Sequence, residues 1–229
     1  MSKIEKKIIA IGGVGVSPES DKELDNFIIS HSKKMKNNIG FLGTASKDDK
    51  EKINKFYKRF DNTSSELSHF NLTSDIDGFH EWLLNKDIVY VGGGNTFYML
   101  EIWKKNSLEQ VFKKAYEKGL ILSGVSAGAV CWFDWILSDS MGRGFEPLKG
   151  INLIEGSCTP HSDNIERINE FEFNIKNNKL PNGVAIDDGV AVVFIDGKPT
   201  EVYSSINNHN AYFLDKNTKI NLKEYIKNI

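Results

Sequence analysis

Cysteine is scarce in this 229-residue sequence: only Cys131 and Cys158 occur. Two thiols make no disulfide framework and fit a reducing compartment. Long apolar runs are missing as well. The chain opens Met1-Ser2-Lys3-Ile4-Glu5-Lys6-Lys7 and carries one short apolar stretch before Gly12 and Gly13. That is too short for a signal-peptide core and far below the ~20 apolar residues of a membrane span, so a cytoplasmic location is expected. Charge of either sign is not in excess. With 29 Lys+Arg against 31 Asp+Glu the formal net charge is −2, which gives no reason to expect nucleic acid or an anionic membrane as partner. No Cys/His cluster has zinc spacing and no carboxylate run has a calcium-loop pattern, so neither metal nor cofactor is expected. Repeats, low-complexity tracts and Pro/Gly/Ser-rich linkers are also missing, which predicts one domain over residues 1–229. A homodimer is compatible with this composition.

What is present is alternation. Ile8-Ile9-Ala10-Ile11 ends at glycines, and a Ser-Pro-Glu start signal at Ser17 to Glu19 precedes Leu24, Phe27 and Ile28 at helical spacing. Strand-like runs follow at Ile39 to Leu42, Glu66 to Phe70, Ile88 to Val91 and Leu120 to Ser123. Helical segments lie between them: Glu51 to Phe60, one carrying Phe79, Trp82 and Leu83, and two flanking Asn106. This pattern predicts an α/β fold, a doubly wound, mostly parallel sheet with helices on both faces. After Phe133 the reading is sparser: strands near Ser157 to Thr159 and Val184 to Ile186, a helix over Ile165 to Ile175, and a hairpin turning at Asp196-Gly197.

The sharpest chemical feature is Gly124-Val125-Ser126-Ala127-Gly128, directly after an apolar strand and before a helix expected over Ala129 to Phe133. Gly-x-Ser-x-Gly in that setting is a nucleophile elbow, a strained turn that lifts the serine hydroxyl clear of the sheet. A second glycine loop, Val91-Gly92-Gly93-Gly94-Asn95-Thr96, also joins a strand end to a helix start. Its backbone N–H groups are free to face an oxyanion or a phosphate, although the Gly-Lys-Ser/Thr ending of a P-loop is missing. Gly12-Gly13-Val14-Gly15 is a poor dinucleotide fingerprint, lacking a third glycine at the required offset.

A serine nucleophile needs a base. His31 and His80 fall in amphipathic helical segments, His69 in a short strand and His209 in a polar loop. His161, in Thr159-Pro160-His161-Ser162-Asp163, stands just beyond a strand end, where catalytic groups of open α/β sheets gather. The acid that orients the imidazole could be Asp187 or Asp188, again at a strand end, with Asp134 and Asp139 as further candidates. Cys131 is a rival nucleophile by type, yet its neighbours Val130, Trp132 and Phe133 predict a buried hydrophobe.

Taken together these segments resemble the peptidase E family, the aspartyl dipeptidases related to cyanophycinases. The resemblance runs from about Ile8 to Phe194 and is most specific at Val91 to Phe97, Gly124 to Ala129, Pro160-His161 and Ala185 to Gly189. It implies a class I glutamine amidotransferase-like (flavodoxin-like) sandwich. It also implies Ser126 as nucleophile, His161 as base, Asp188 as acid, Gly94 and Ala127 as oxyanion donors, and Gly93, Asn95, Asn164 and Arg167 as substrate-contacting positions. Two departures stand out. The family's acid is commonly Glu, one methylene longer than Asp188. The Thr-Arg-Glu that ends a longer segment after the histidine in aspartate-specific members is missing, and Asn164 stands in the place of its arginine. An amide cannot replace a bidentate arginine–carboxylate pair, which argues against strict specificity for N-terminal aspartate. The expectation is therefore a serine peptidase of short peptides. A cyanophycinase-like or other amide or ester hydrolase on the same scaffold is the nearest alternative, and a non-catalytic anion-binding protein the alternative of another class.

Overall fold

The computed structural model describes residues 4–15, 17–61 and 63–228; residues 1–3 of the short opening segment lie outside them. The order of elements is β1 (Lys7–Ile11), α1 (Pro18–Ser30), β2 (Asn38–Leu42), α2 (Lys50–Phe60), β3 (Glu66–Phe70), α3 (Phe79–Leu84), β4 (Ile88–Val91), α4 (Thr96–Lys105), α5 (Leu108–Glu117) and β5 (Ile121–Val125). Then come α6 (Ala127–Val130), β6 (Phe133–Ser138), β7 (Glu146–Lys149), β8 (Ile154–Thr159), α7 (Ile165–Lys176), β9 (Gly183–Ile186), β10 (Val190–Ile195), β11 (Lys198–Ser204), β12 (Ala211–Leu214), β13 (Lys219–Asn221) and α8 (Leu222–Lys227).

Helix starts follow local chemistry. At α1 a reciprocal capping box joins Ser17 and Ser20, with Pro18 at the first helical position. Asp49, Asn95 and Asn164 each accept a backbone N–H at the starts of α2, α4 and α7.

Two sheets form. The first runs β11-β10-β1-β5-β4-β2-β3; its five strands from β1 to β3 in that order are parallel, and β10 and β11 close one edge as an antiparallel hairpin. Side chains alternate across it as strand geometry requires. Ile9 and Ile11 belong to the core beneath α1 and α2, with Leu24, Ile28, Ile53 and Phe56. Ile8 and Ala10 belong to the opposite core, beneath α3 to α5. There Trp103, Phe112 and Trp132 meet with ring centroids 4.5–5.7 Å apart, and truncating any one to alanine costs about 3–5 kcal/mol.

The second sheet, β13-β12-β9-β8-β6-β7, has a parallel centre of β6, β8 and β9. One of its faces shares the core that holds Ile8 and Trp103, and the other is covered by Ile168, Phe171 and Ile175 of α7. A single bridge, Gly13 to Asp188, pairs the loops after β1 and β9. The helix expected over Ala129 to Phe133 is only the one turn of α6. Phe133 already belongs to β6, because its strand pairs with β8. Among the described residues no helix is long and apolar enough to cross a membrane.

Candidate active site

Ser126 follows β5 at φ 53°, ψ −113°, a left-handed backbone that serine seldom adopts. The turn is held from both ends: Ser126 N–H donates to the carbonyl of Ile11 (2.9 Å), and its own carbonyl starts the turn of α6. Gly128 is required here, since a Cβ at that position would run into the backbone carbonyl of Val91 on β4. Only glycine lets the elbow settle so closely on the neighbouring strand. The loop after β4 passes directly beside the serine; a Cβ built on Gly93 would lie 3.3 Å from Cβ of Ser126.

His161 reaches the same place from the end of β8, also at positive φ (51°). Its Nε2 is 2.8 Å from Oγ of Ser126 and its Nδ1 is 2.5 Å from Oδ1 of Asp188. A carboxylate only accepts, so Nδ1 carries the proton and Nε2 is left to accept from the hydroxyl. Ser126, His161 and Asp188 are thus one continuous hydrogen-bonded series assembled from the ends of three strands. All three are partly exposed, with about a third of the His161 and Asp188 side chains open to solvent.

Asp188 is held by its backbone. Its N–H donates to Oδ1 of Asp163 (3.0 Å), and its carbonyl accepts from Nδ1 of His209 (2.8 Å). Asp187 turns the other way, accepting from Oγ of Ser162 and the N–H of Asn210. Of the other acids, Asp134 pairs with Lys149 and Asp139 with Arg167. His31 contacts Phe27 and Glu201, His69 bonds Tyr57, and His80 is exposed on α3. Cys131 and Cys158 are fully buried, and burial pushes both thiols well above the ordinary cysteine range. Among the described residues no three His, Cys, Asp or Glu side chains gather as a metal site.

Two cavities meet at Ser126 and share His161 and Gly94. One, about 340 Å³, is polar and lined by Thr96, Ser138, Asp139 and Arg167. The Arg167 guanidinium is buried, lies over the ring of Phe145 and sits 3.0 Å from Asp139. The other, about 260 Å³, is aromatic and lined by Phe41, Phe56, Phe60 and Tyr90, with Lys52, Lys55 and Arg59 at its side.

Of the positions expected to contact substrate, Gly93 lines the aromatic cavity and Arg167 the polar one. Asn95 and Asn164 spend their side-chain oxygens on helix caps, and Asn95 also ties to the carbonyl of Ser140. Ala127 begins α6, so its N–H has no carbonyl partner within the helix. Sequence reading missed three contributors: His209 behind Asp188, Gly13 against the acid, and the aromatic cavity.

Comparison with known proteins agrees in fold and family. A model of peptidase family S51 matches residues 8–202. The uncharacterized peptidase YgaJ of Bacillus subtilis is 38% identical over 213 residues, covering 90% of this chain and 91% of that protein. A Nostoc protein named peptidase E is 28% identical over 147 residues, covering 62% of this chain and 58% of its own. A solved peptidase from an acI-B1 actinobacterium superposes with a TM-score of 0.70 at 17% identity, covering 96% and 95% of the two chains.

Proposed function

The chain belongs to peptidase family S51, and from that premise we propose a serine peptidase that hydrolyses short peptides through Ser126, His161 and Asp188. Family membership supports the peptidase. The serine mechanism is supported by the 2.8 Å approach of His161 Nε2 to Ser126 Oγ, with Nδ1 on Asp188.

In this reading Oγ attacks the scissile carbonyl carbon while Nε2 takes its proton. The carbonyl oxygen becomes an oxyanion, stabilised by the N–H groups of Gly94 and Ala127, each worth roughly 3–4 kcal/mol in comparable sites. Collapse breaks the C–N bond, His161 returns the proton to the leaving amine, and an ester to Ser126 remains. Water, deprotonated by the same ring, releases the acid product and restores the hydroxyl. Asp188 keeps Nδ1 protonated and stabilises the imidazolium that forms in each half.

Strict selection of N-terminal aspartate is not part of the proposal. Asn164 is neutral and committed to its cap, and Arg167 already has Asp139 as its ion-pair partner.

The test is to quantify the amino acids released from a library of two- to six-residue peptides, free and blocked at either end, by wild type and Ser126→Ala. Short free-ended peptides should be cleaved, and the variant should lose several orders of magnitude in turnover with its fold intact. An untouched library, or an active Ser126→Ala, overturns the reading. Better turnover of blocked amides or esters would favour a cyanophycinase-like or other hydrolase, and release of N-terminal aspartate alone would overturn the view of specificity.

A further inference from the structure

We propose that the aromatic cavity beside Ser126 receives the C-terminal residue of the substrate, a bulky apolar side chain against Phe41, Phe56 and Tyr90 with its free α-carboxylate drawn to Lys52. This rests on the peptidase reading and names the substrate class for the same site. At about 260 Å³ the cavity is smaller than the roughly 300–1,000 Å³ that encloses a drug-sized ligand; it suits one side chain. Its floor is set. Phe41 stacks on Phe56 with centroids 4.9 Å apart, Phe56 packs on Phe60 at 5.1 Å, and these rings are no more than 3% exposed. A rigid apolar floor next to the nucleophile gains most from an apolar side chain that displaces water from it.

Charge sets the direction of the peptide. Three cations line this cavity, and among its described lining residues there is no carboxylate. Arg59 is held bidentately by Asp25 at 2.6 and 2.8 Å, and Lys55 is 3.6 Å from Asp21. Lys52 instead donates to the carbonyl of Gly93 (3.0 Å), which seats its ammonium beside the glycine loop. The cavity on the other side of Ser126 carries both signs: Asp139, with its side chain 58% exposed, is ion-paired with Arg167 at 3.0 Å. A peptide with two free ends therefore spans Ser126 with its carboxylate toward Lys52, where cations are in excess, and its amine toward the polar cavity, where Asp139 and Arg167 balance. Beyond Val14 the groove is lined by Asp21 and Asp25 together with Lys22, Lys55, Lys58 and Arg59. With room for one side chain and Lys52 at its edge, the cavity takes the C-terminal residue as the leaving amino acid.

The experiment compares kcat/KM for Ala-Phe, Ala-Leu, Ala-Gly and Ala-Phe-amide on wild type, Lys52→Gln and Phe56→Leu, with binding of the same four peptides to Ser126→Ala by calorimetry. Ala-Phe and Ala-Leu should exceed Ala-Gly by tenfold or more, and the free acid should exceed the amide. Lys52→Gln should lower the acid-to-amide ratio about two- to fivefold, the size expected of an exposed ion pair, and keep the Phe-over-Gly preference. Phe56→Leu should narrow the Phe-over-Gly preference instead. Equal kcat/KM for Ala-Phe and Ala-Gly in an enzyme that cleaves both overturns the subsite and leaves the peptidase reading standing. If wild type cleaves none of the four, binding to Ser126→Ala decides the subsite: tighter binding of Ala-Phe than of Ala-Gly upholds it, and equal or undetectable binding overturns it.

Discussion

Asp187 and Asp188 are adjacent in sequence and serve different partners: Asp188 holds His161, while Asp187, 5% exposed, holds Ser162 and the backbone of Asn210. The two carboxylates should separate experimentally. Asp188→Asn leaves Nδ1 without an acceptor of fixed charge and should lower kcat by up to about 10⁴-fold with little change in stability. Asp187→Asn disturbs a buried pair of hydrogen bonds and should cost roughly 1–3 kcal/mol of stability, with a far smaller effect on turnover. Kinetics and denaturant melts of both variants check this, and the reverse pattern would exchange their roles.

Gly13 makes room for the acid. A Cβ there would collide with Oδ1 of Asp188 and stand 2.8 Å from Nδ1 of His161, and the carbonyl of Gly13 accepts from the N–H of Gly189 at 3.0 Å. Gly13→Ala should therefore push Asp188 off the imidazole and cost about 10²-fold in kcat, the scale of a 1 Å misplacement, while the unfolding midpoint falls modestly. Wild-type turnover in this variant would show that the acid's position is not critical.

The contrast between Gly13 and Ser126 shows what the sequence could and could not reveal. Ser126 is legible because the elbow is a contiguous segment, and its strand, Ile121–Val125, is buried throughout and opens on the apolar Ile121 and Leu122. Gly13 belongs to a motif whose local appearance suggests, weakly, a nucleotide loop; its closeness to Asp188 comes from the bridge between loops after β1 and β9. His209 likewise has no local signal, since its partner is a backbone carbonyl 21 residues earlier. The first sheet follows from apolar runs and helical periods. Much of the second does not: β7 contains Pro147 and is half-exposed, β13 has three residues, and Phe133 continues the apolar stretch of the elbow although it starts a strand. The aromatic cavity draws Phe41, Phe56 and Tyr90 from three separate elements, so no single window of sequence displays it.

Cys131 and Cys158 should be inert. Both are 0% exposed, and burial holds each thiol in its neutral, unreactive form. Iodoacetamide at pH 8 should leave the folded protein's mass and activity unchanged, and both cysteines should alkylate once guanidinium unfolds it. Loss of activity on alkylation of the native protein would point to a thiol in the mechanism.

Tyr90 links stability to alkaline pH. Burial pushes its phenol up to about 12, opposed by the nearby Arg59. The unfolded chain releases this proton near pH 10, so above that value the unfolded state binds fewer protons than the folded one and stability falls as pH rises. The loss should reach roughly 1–2 kcal/mol by pH 12 at up to about 1.4 kcal/mol per unit. In Tyr90→Phe that part of the decline between pH 10 and 12 should vanish, and an identical slope in denaturant melts of both proteins would contradict the assignment.

The central claim is that His161 activates the Ser126 hydroxyl, and covalent trapping tests it most directly. A peptidyl diphenyl phosphonate should add one phosphonyl group to the native protein, mapped by mass spectrometry to Ser126, with labelling abolished in Ser126→Ala and slowed by orders of magnitude in His161→Ala. Attachment at another residue, or an unchanged labelling rate without His161, would contradict it.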